Sequence, residues 1–288
     1  MARLLISLGA NLGNTYETMV AASKLLIDAF GKSSTYFSRL YRTPPVGGPT
    51  GQSDFLNAVA RIETSLNCWE VWDVIKRIER DLGRQRQQRW EARRIDMDIL
   101  LHGDARIWTP HLKIPHPRMC MRSFVIIPAL DVAGEAIDPV TQWTVERLFQ
   151  NLCDASLRTT LVCSNIAHTL EDLRTGFKGL GEQSKVPTLR FAICDRPENL
   201  KSDVRFAQGE IALTIVCVRT PDPESVQWED YSYPWAQALG FTPSSEGFPL
   251  EGPRYLLPAN DIPWAVHEID ASRMAMTCDV QPLDDSWS

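Results

Sequence analysis

Apolar and polar positions along the chain alternate between strand-like and helix-like periods. Residues 3–8 form a short apolar run that stops at Gly9, the pattern of a buried strand. Asn14 followed by Glu17 is a capping pair, and Tyr16, Met19, Val20, Ser23, Leu26, Ile27 and Phe30 then recur on one helical face until Gly31. Residues 34–41 read as a second strand, Thr43 to Ser53 as a Gly- and Pro-rich loop, and Phe55 to Thr64 as a third strand. Asn67 and Glu70 make a second capping pair. Val71, Val74, Ile75, Ile78 and Leu82 give the helix behind it an apolar stripe, and Gly83 closes it. Ile95 to Leu101 is a fourth strand, and Arg122 to Leu130 a further helix interrupted at Pro128.

The order β-α-β-β-α-β predicts an α+β fold of ferredoxin-like arrangement, an antiparallel sheet with helices on one face. The pattern changes near residues 150–158. A second series follows: strands at 159–164, 188–194 and 210–218, helices at 167–175 and 234–240, and a strand-helix pair over 254–275. Two units are therefore expected, 1–152 and a second, smaller α/β domain over 158–280, with a loop region at 220–253 and a frayed acidic tail from Gln281.

With 288 residues the chain is long enough for two cores, and 44% hydrophobic against 23% charged residues is the balance of a soluble globular protein. Its net charge of -6 disfavours nonspecific attraction to nucleic acid. The 7 cysteines are widely spaced without a C-x-x-C pair, which predicts reduced thiols in a cytoplasmic protein. No apolar run reaches the roughly 20 residues of a membrane span.

Arg94-Ile95-Asp96-Met97-Asp98-Ile99 carries the sharpest chemistry. On a strand Asp96 and Asp98 share one side, about 7 Å apart, while Ile95, Met97 and Ile99 take the other. Such a pair can hold a hard cation through oxygen, although two solvated acids on an exposed strand face would read alike. Just before it, five arginines (Arg84, Arg86, Arg89, Arg93 and Arg94) fall within eleven residues that lack apolar periodicity. A solvated basic loop is the plain reading; a lid that closes on phosphates is the functional one, because guanidinium groups bind phosphate oxygens pairwise and stay charged. Beside magnesium-binding acids they make the two halves of a nucleoside triphosphate site. His116-Pro117-Arg118 and Arg122-Ser123-Phe124 add further donors. In Tyr41 to Gly48, followed by Phe55-Leu56-Asn57, stiff prolines, permissive glycines, an amide and aromatic faces suit a flat heterocycle. No G-x-x-x-x-G-K-[ST] loop and no G-x-G-x-x-G after a strand occurs, so ATP would bind outside both common nucleotide folds.

Together, Ser7 to Asn14, Tyr41 to Gly47, Phe55 to Ala58, Gly83 to Trp90, Arg94 to Leu101 and Pro115 to Phe124 resemble, in order and spacing, the 6-hydroxymethyl-7,8-dihydropterin pyrophosphokinases of folate biosynthesis. The resemblance covers residues 1 to about 150. It implies an enzyme, a 2-amino-4-hydroxy-6-hydroxymethyldihydropteridine diphosphokinase, moving diphosphate from ATP to the pterin. It implies two magnesium ions on Asp96 and Asp98, with Arg84 and Arg93 as loop arginines that assist transfer. ATP would be held by Glu79, Arg86, Arg89, His116 and Arg122. The pterin pocket would comprise Thr43, Pro44, Val46 and Asn57, with Phe55 and Phe124 on either side of the ring and Trp90 closing over it. Two departures stand out: Glu91-Ala92 where the family usually carries Gly-Pro, and Phe55 where Tyr is common. Rival readings are a pseudoenzyme altered at Glu91-Ala92 and a module binding RNA through the Arg loop and Trp90, which the paired acids oppose. The expected partners are small molecules, neither nucleic acid nor membrane. Residues 254–261 with the following helix resemble the last strand and helix of nucleoside-kinase-like proteins, without their phosphate loop, which suggests a structural or regulatory second part.

Overall fold

A computed structural model of the 288-residue chain describes all residues except 50, 85–91, 155–158, 164–168, 180–188, 195, 200–212, 221–226, 244–251 and 284–286. It contains a 6-stranded antiparallel sheet built from β1 (Ala2–Ala10), β2 (Thr35–Phe37), β3 (Tyr41–Thr43), β4 (Phe55–Thr64), β5 (Asp96–His102) and β12 (Gln281–Pro282). The order is β12-β3-β4-β1-β5, with β2 also on β4. The expected α+β class stands.

Local sequence explains the elements. Asn14 Oδ1 accepts the Glu17 N–H and opens α1 (Thr15–Phe30). Asn67 and Glu70 form the full reciprocal capping box of α2 (Cys68–Asp81). The second strand, expected unbroken over 34–41, is split instead. Phe37 faces Ala60 whereas Tyr41 faces Asn57, so one extra residue is accommodated between them. Ser38 absorbs it: its N–H donates to Val59 O and its hydroxyl accepts the Val59 N–H, both at 2.9 Å.

Alternation along β1 and β4 sends side chains to two different cores. Leu4, Ile6, Leu8, Ala58, Ala60 and Ile62 pack with α1 and α2. Leu5 and Val59 point the other way, onto α3 (Ser123–Ala133), so the sheet is covered on both faces rather than one. The buried face of α1 is Thr18, Met19, Ala22, Ser23 and Leu26, turned from the expected stripe, and Tyr16 lies outside at 51% exposure. Small residues let the helix approach the sheet, and bulk alone did not reveal them. Likewise α3 runs through Pro128 instead of breaking there.

The second series forms a 4-stranded parallel sheet of order β11-β10-β8-β9 from β8 (Thr159–Cys163), β9 (Leu189–Ile193), β10 (Leu213–Val218) and β11 (Arg254–Pro258). All six residues of β10 are buried, the continuous apolar reading of a central parallel strand. Helices α4 (Val145–Asp154), α5 (Thr169–Gly179), α6 (Trp228–Ala238) and α7 (Ile262–Met276) complete the described set. Sequence periodicity did not single out α4, and it placed α6 several residues late.

The two sheets share apolar cores. Leu5, Val59, Val125 and Ala129 cluster with Ile215, Leu257 and Ile269, and Trp108 of the short hairpin β6 (Ile107–Trp108) and β7 (Lys113–Ile114) clusters with Val216, Trp235 and Leu239. Polar ties cross the same boundary: the Ser123 hydroxyl donates to Ala275 O at 2.9 Å, and Trp108 Nε1 to the Ser232 hydroxyl at 3.1 Å. The expected frayed tail is tied down at its described residues. Gln281 and Pro282 pair with Arg42 and Tyr41, and Trp287 is buried at 3% exposure with Nε1 donating to Ser38 O at 2.9 Å.

Candidate active site

On the α3 side of the antiparallel sheet, the face changes character along its length. Leu5, Val59 and Leu101 are apolar, but further on come Ser7 and Gly9 of β1, Asn57 of β4 and Asp96 and Asp98 of β5. Strand register brings these together: Gly9 faces both Asn57 and Asp96, and Ser7 faces Asp98. All line one cavity of about 600 Å³. Asp96 and Asp98 thus share a side, as the strand period requires.

The recess beside β4 has the features of a heterocycle pocket. Asn57 is 7% exposed and its Nδ2 donates to Thr43 Oγ1 at 2.8 Å, which fixes the amide's orientation. A Cβ at Gly9 would lie 3.3 Å from Asn57 Oδ1, so glycine keeps that edge open. Phe55, Phe124, Pro44 and Val46 line the same space. Gly47 and Gly48 have φ of 73° and 79°, a left-handed turn that glycine permits, and Gly47 lines the cavity too.

The opposite wall is cationic. Arg84 reaches Asp96 Oδ1 at 2.6 Å through NH2 and Glu79 through NH1, while Arg93 pairs with Asp96 Oδ2. Glu79 does not line the cavity. Its side chain is 3% exposed; it takes the Met97 N–H at 2.9 Å and the Lys76 ammonium at 2.8 Å, so it ties α2, Arg84 and β5 into one unit. Arg86, Arg89, Trp90 and Glu91 lie outside the described residues. Where the loop rejoins β5, Arg93 is clamped by Asn11: Oδ1 accepts the Arg93 N–H at 2.7 Å and Asn11 N–H donates to Arg93 O at 3.0 Å. The same Asn11 side chain donates to Gln52 Oε1 at 3.2 Å, joining the arginine loop to the loop before β4. Asn11 falls within the Ser7 to Asn14 stretch of the resemblance, but nothing local in the sequence signals this linkage.

His116 Nδ1 accepts the Arg118 N–H at 3.1 Å, so the ring proton sits on Nε2, 3.6 Å from Asp98 Oδ2. Burial, then the charges of Arg122 and Arg118, push the His116 pKa well down, so the ring is a neutral donor. Burial, then Arg118, lowers Arg122 to about 10, which still leaves it charged at neutral pH. Its guanidinium carbon stands 5.6 Å from the Phe124 ring centre. Arg118, one of the further donors expected from the sequence, lines the cavity and meets Glu268. Tyr255, Trp228 and Trp264 also line it, although all come from the second series.

Asp96, Asp98 and His116 form no group of three metal ligands, and none such occurs among the described residues. Two hard carboxylates beside a cationic wall nonetheless suit magnesium, which takes one or two protein carboxylates and completes its shell with water and phosphate oxygens. Among the described residues no helix is long and apolar enough to cross a membrane.

Comparison with known proteins matches the amino-terminal half of the chain. A profile described as 7,8-dihydro-6-hydroxymethylpterin-pyrophosphokinase (HPPK) matches residues 5–134. A 2-amino-4-hydroxy-6-hydroxymethyldihydropteridine pyrophosphokinase of Haemophilus influenzae is 39% identical over 145 residues, 50% of this chain and 90% of that one. Its Bacillus subtilis counterpart is 40% identical over 130 residues, covering 45% and 77% respectively. A mitochondrial folate synthesis bifunctional protein of Arabidopsis thaliana is 42% identical over 142 residues, 49% of this chain and 25% of that one. The matched stretch contains the strand pair of acids, the arginine-bearing loop and the amide recess, and the Haemophilus influenzae relative is spanned over 90% of its own length; the chain belongs to the 7,8-dihydro-6-hydroxymethylpterin-pyrophosphokinase family.

Proposed function

We infer that the protein transfers diphosphate from ATP to 6-hydroxymethyl-7,8-dihydropterin, giving AMP and the pterin diphosphate for folate synthesis. One observation carries this: the amide-and-aromatic recess at Asn57 and Phe55 opens into the same cavity as paired carboxylates flanked by arginines. The pterin hydroxymethyl oxygen attacks the β-phosphorus, the bond from that phosphorus to the α-phosphate oxygen breaks with its electron pair leaving on AMP, and the hydroxyl proton passes to water.

In this reading Asn57 and Thr43 fix the heterocycle edge, and Phe55 and Phe124 take its faces. Asp96 and Asp98 would hold two magnesium ions, which supply charge neutralisation for the phosphates. When phosphates enter, Arg84 and Arg93 exchange Asp96 for phosphate oxygens; both arginines start a few ångströms from the site and need little reorganisation. Arg122 and the Nε2–H of His116 hold the chain of phosphates. Glu79 acts through Arg84 and the β5 backbone rather than by touching nucleotide. Arg86, Arg89 and Trp90 are proposed to close the lid. The sheet order β5-β1-β4-β3 with α1 and α2 fits the ferredoxin-like arrangement, and residues 1–152 are read as the transferase part, with 158–280 as an α/β part docked on it.

Asp98→Asn tests the reading. It removes a ligand without removing an arginine partner, and turnover should fall at least about a hundredfold with an unchanged melting curve. Turnover at the unaltered rate would remove the metal role from Asp98.

A further inference from the structure

Glu268 stands 150 residues beyond Arg118, yet both line the same cavity. Its side chain is 3% exposed, and Oε1 accepts from Arg118 NH1 at 2.6 Å and from the Tyr255 hydroxyl at 3.2 Å. Enclosing a carboxylate this fully costs several kcal/mol of hydration, which only directed donors offset. Burial first, and the nearby Glu268 charge among the other causes, raise the Tyr255 pKa, so that hydroxyl remains a donor. Arg118 meanwhile lines the cavity with Arg122, whose like charge would drive a long, flexible guanidinium away. The contact at NH1 engages one of the five guanidinium N–H donors and restrains the direction of the planar group.

We propose that Glu268, backed by Tyr255, is a positioning residue that holds the Arg118 guanidinium toward the cavity, where it receives nucleotide phosphate beside Arg122. Neither Glu268 nor Tyr255 falls within the matched residues 5–134, so the nucleotide wall is completed by the carboxyl-terminal part of this chain. The inference rests on the reading above that the cavity takes ATP. An opposing effect is the negative charge of Glu268 near a polyanion. At 2.6 Å from Arg118 that charge is already neutralised, so at phosphate distance the pair acts as a weak dipole, and loss of a directed guanidinium contact outweighs it.

The test uses the full chain with Glu268→Gln, Arg118→Gln, the double variant and Tyr255→Phe. An ATP analogue with a methylene bridge between the α and β phosphates is titrated calorimetrically with magnesium, and kcat and KM are measured in parallel. Glu268→Gln and Arg118→Gln should each weaken analogue binding about tenfold. The double variant should be no weaker than Arg118→Gln alone, and the pterin KM should not move. Tyr255→Phe, which removes only the hydroxyl, should weaken binding about threefold, and it keeps the test open if Glu268→Gln does not fold. Additive losses, or tighter binding by Glu268→Gln, overturn the proposal while leaving the proposed activity intact. An unaltered protein that neither binds the analogue nor turns over overturns the ATP reading itself, and this inference with it.

Discussion

Trp287→Ala should destabilise the protein well beyond what a terminal residue ordinarily does. The indole is 3% exposed, packs edge-on against Phe37 with ring centres 5.3 Å apart, and donates to Ser38 O at 2.9 Å. Burying a side chain of this size contributes about 3 kcal/mol. The hydrogen bond adds about 1 kcal/mol and the aromatic pair about 0.5–1.5 kcal/mol. Against this, the freed tail regains about 1–2 kcal/mol of conformational entropy for each residue that unpeels. A net loss of about 2–4 kcal/mol remains if one or two residues fray, equivalent to about 4–8 °C in melting temperature at about 2 °C per kcal/mol for a chain this long. Trp287→Phe keeps the packing and loses the indole donor, so its shift should be about a third as large. Because β12 holds β3, and β3 carries the Thr43 that orients Asn57, deleting residues 281–288 should also raise the pterin KM severalfold more than the ATP KM. Differential scanning calorimetry and steady-state kinetics read both effects. Melting within 1 °C of the unaltered protein for Trp287→Ala would refute the anchoring role of the indole.

Four further outcomes are expected. Gly9→Ala puts a Cβ 3.3 Å from Asn57 Oδ1, and since Thr43 holds that amide, pterin KM should rise about tenfold with kcat less affected; steady-state titration of the pterin checks it. Gly176→Ala sets a Cβ 2.7 Å from Val266 Cγ2 where α5 meets α7, which should destabilise by about 1–3 kcal/mol in denaturant titration. Burial raises the Asp131 pKa, but hydrogen bonds from Arg39 and Tyr41 outweigh it and hold it below the ordinary carboxylate value. Its stabilising share is therefore present above the unfolded value of about 3.9 and lost as pH falls through the folded one, so Asp131→Asn should lower stability at pH 7 and narrow the gap to the unaltered protein near pH 3. A chain cut after Asn151 should aggregate, because Leu5, Val59 and Val125 share a core with Ile215, Leu257 and Ile269; a soluble, active fragment would show that residues 1–152 stand alone.

What was legible in the sequence was local. Capping pairs at Asn14 and Asn67, the period-two acids on β5 and the uniform apolar run of β10 each encode their element within a few residues, and the structure forms all of them. The cavity's amide, aromatic and carboxylate members were likewise readable, because three strands of one sheet in register bring them together. What escaped was set by distance along the chain. Glu268 and Tyr255 sit in a buried helix and strand whose patterns give no hint of a partner 150 residues away. Trp287 stands alone in an acidic stretch without period, and β12 is only 2 residues long. Glu79, which the resemblance sets on the ATP side, is buried and accepts the Met97 N–H, a contact the sequence does not signal.

The central claim is that this cavity moves a diphosphate, not a single phosphate, to a pterin. Phosphorus NMR of the full chain with ATP, magnesium and 6-hydroxymethyl-7,8-dihydropterin measures it directly. AMP and a pterin carrying two phosphorus atoms should appear in equal amounts, and neither should form when the pterin or the magnesium is withheld. ADP with a monophosphorylated pterin, or nucleotide hydrolysis indifferent to the pterin, would contradict the account.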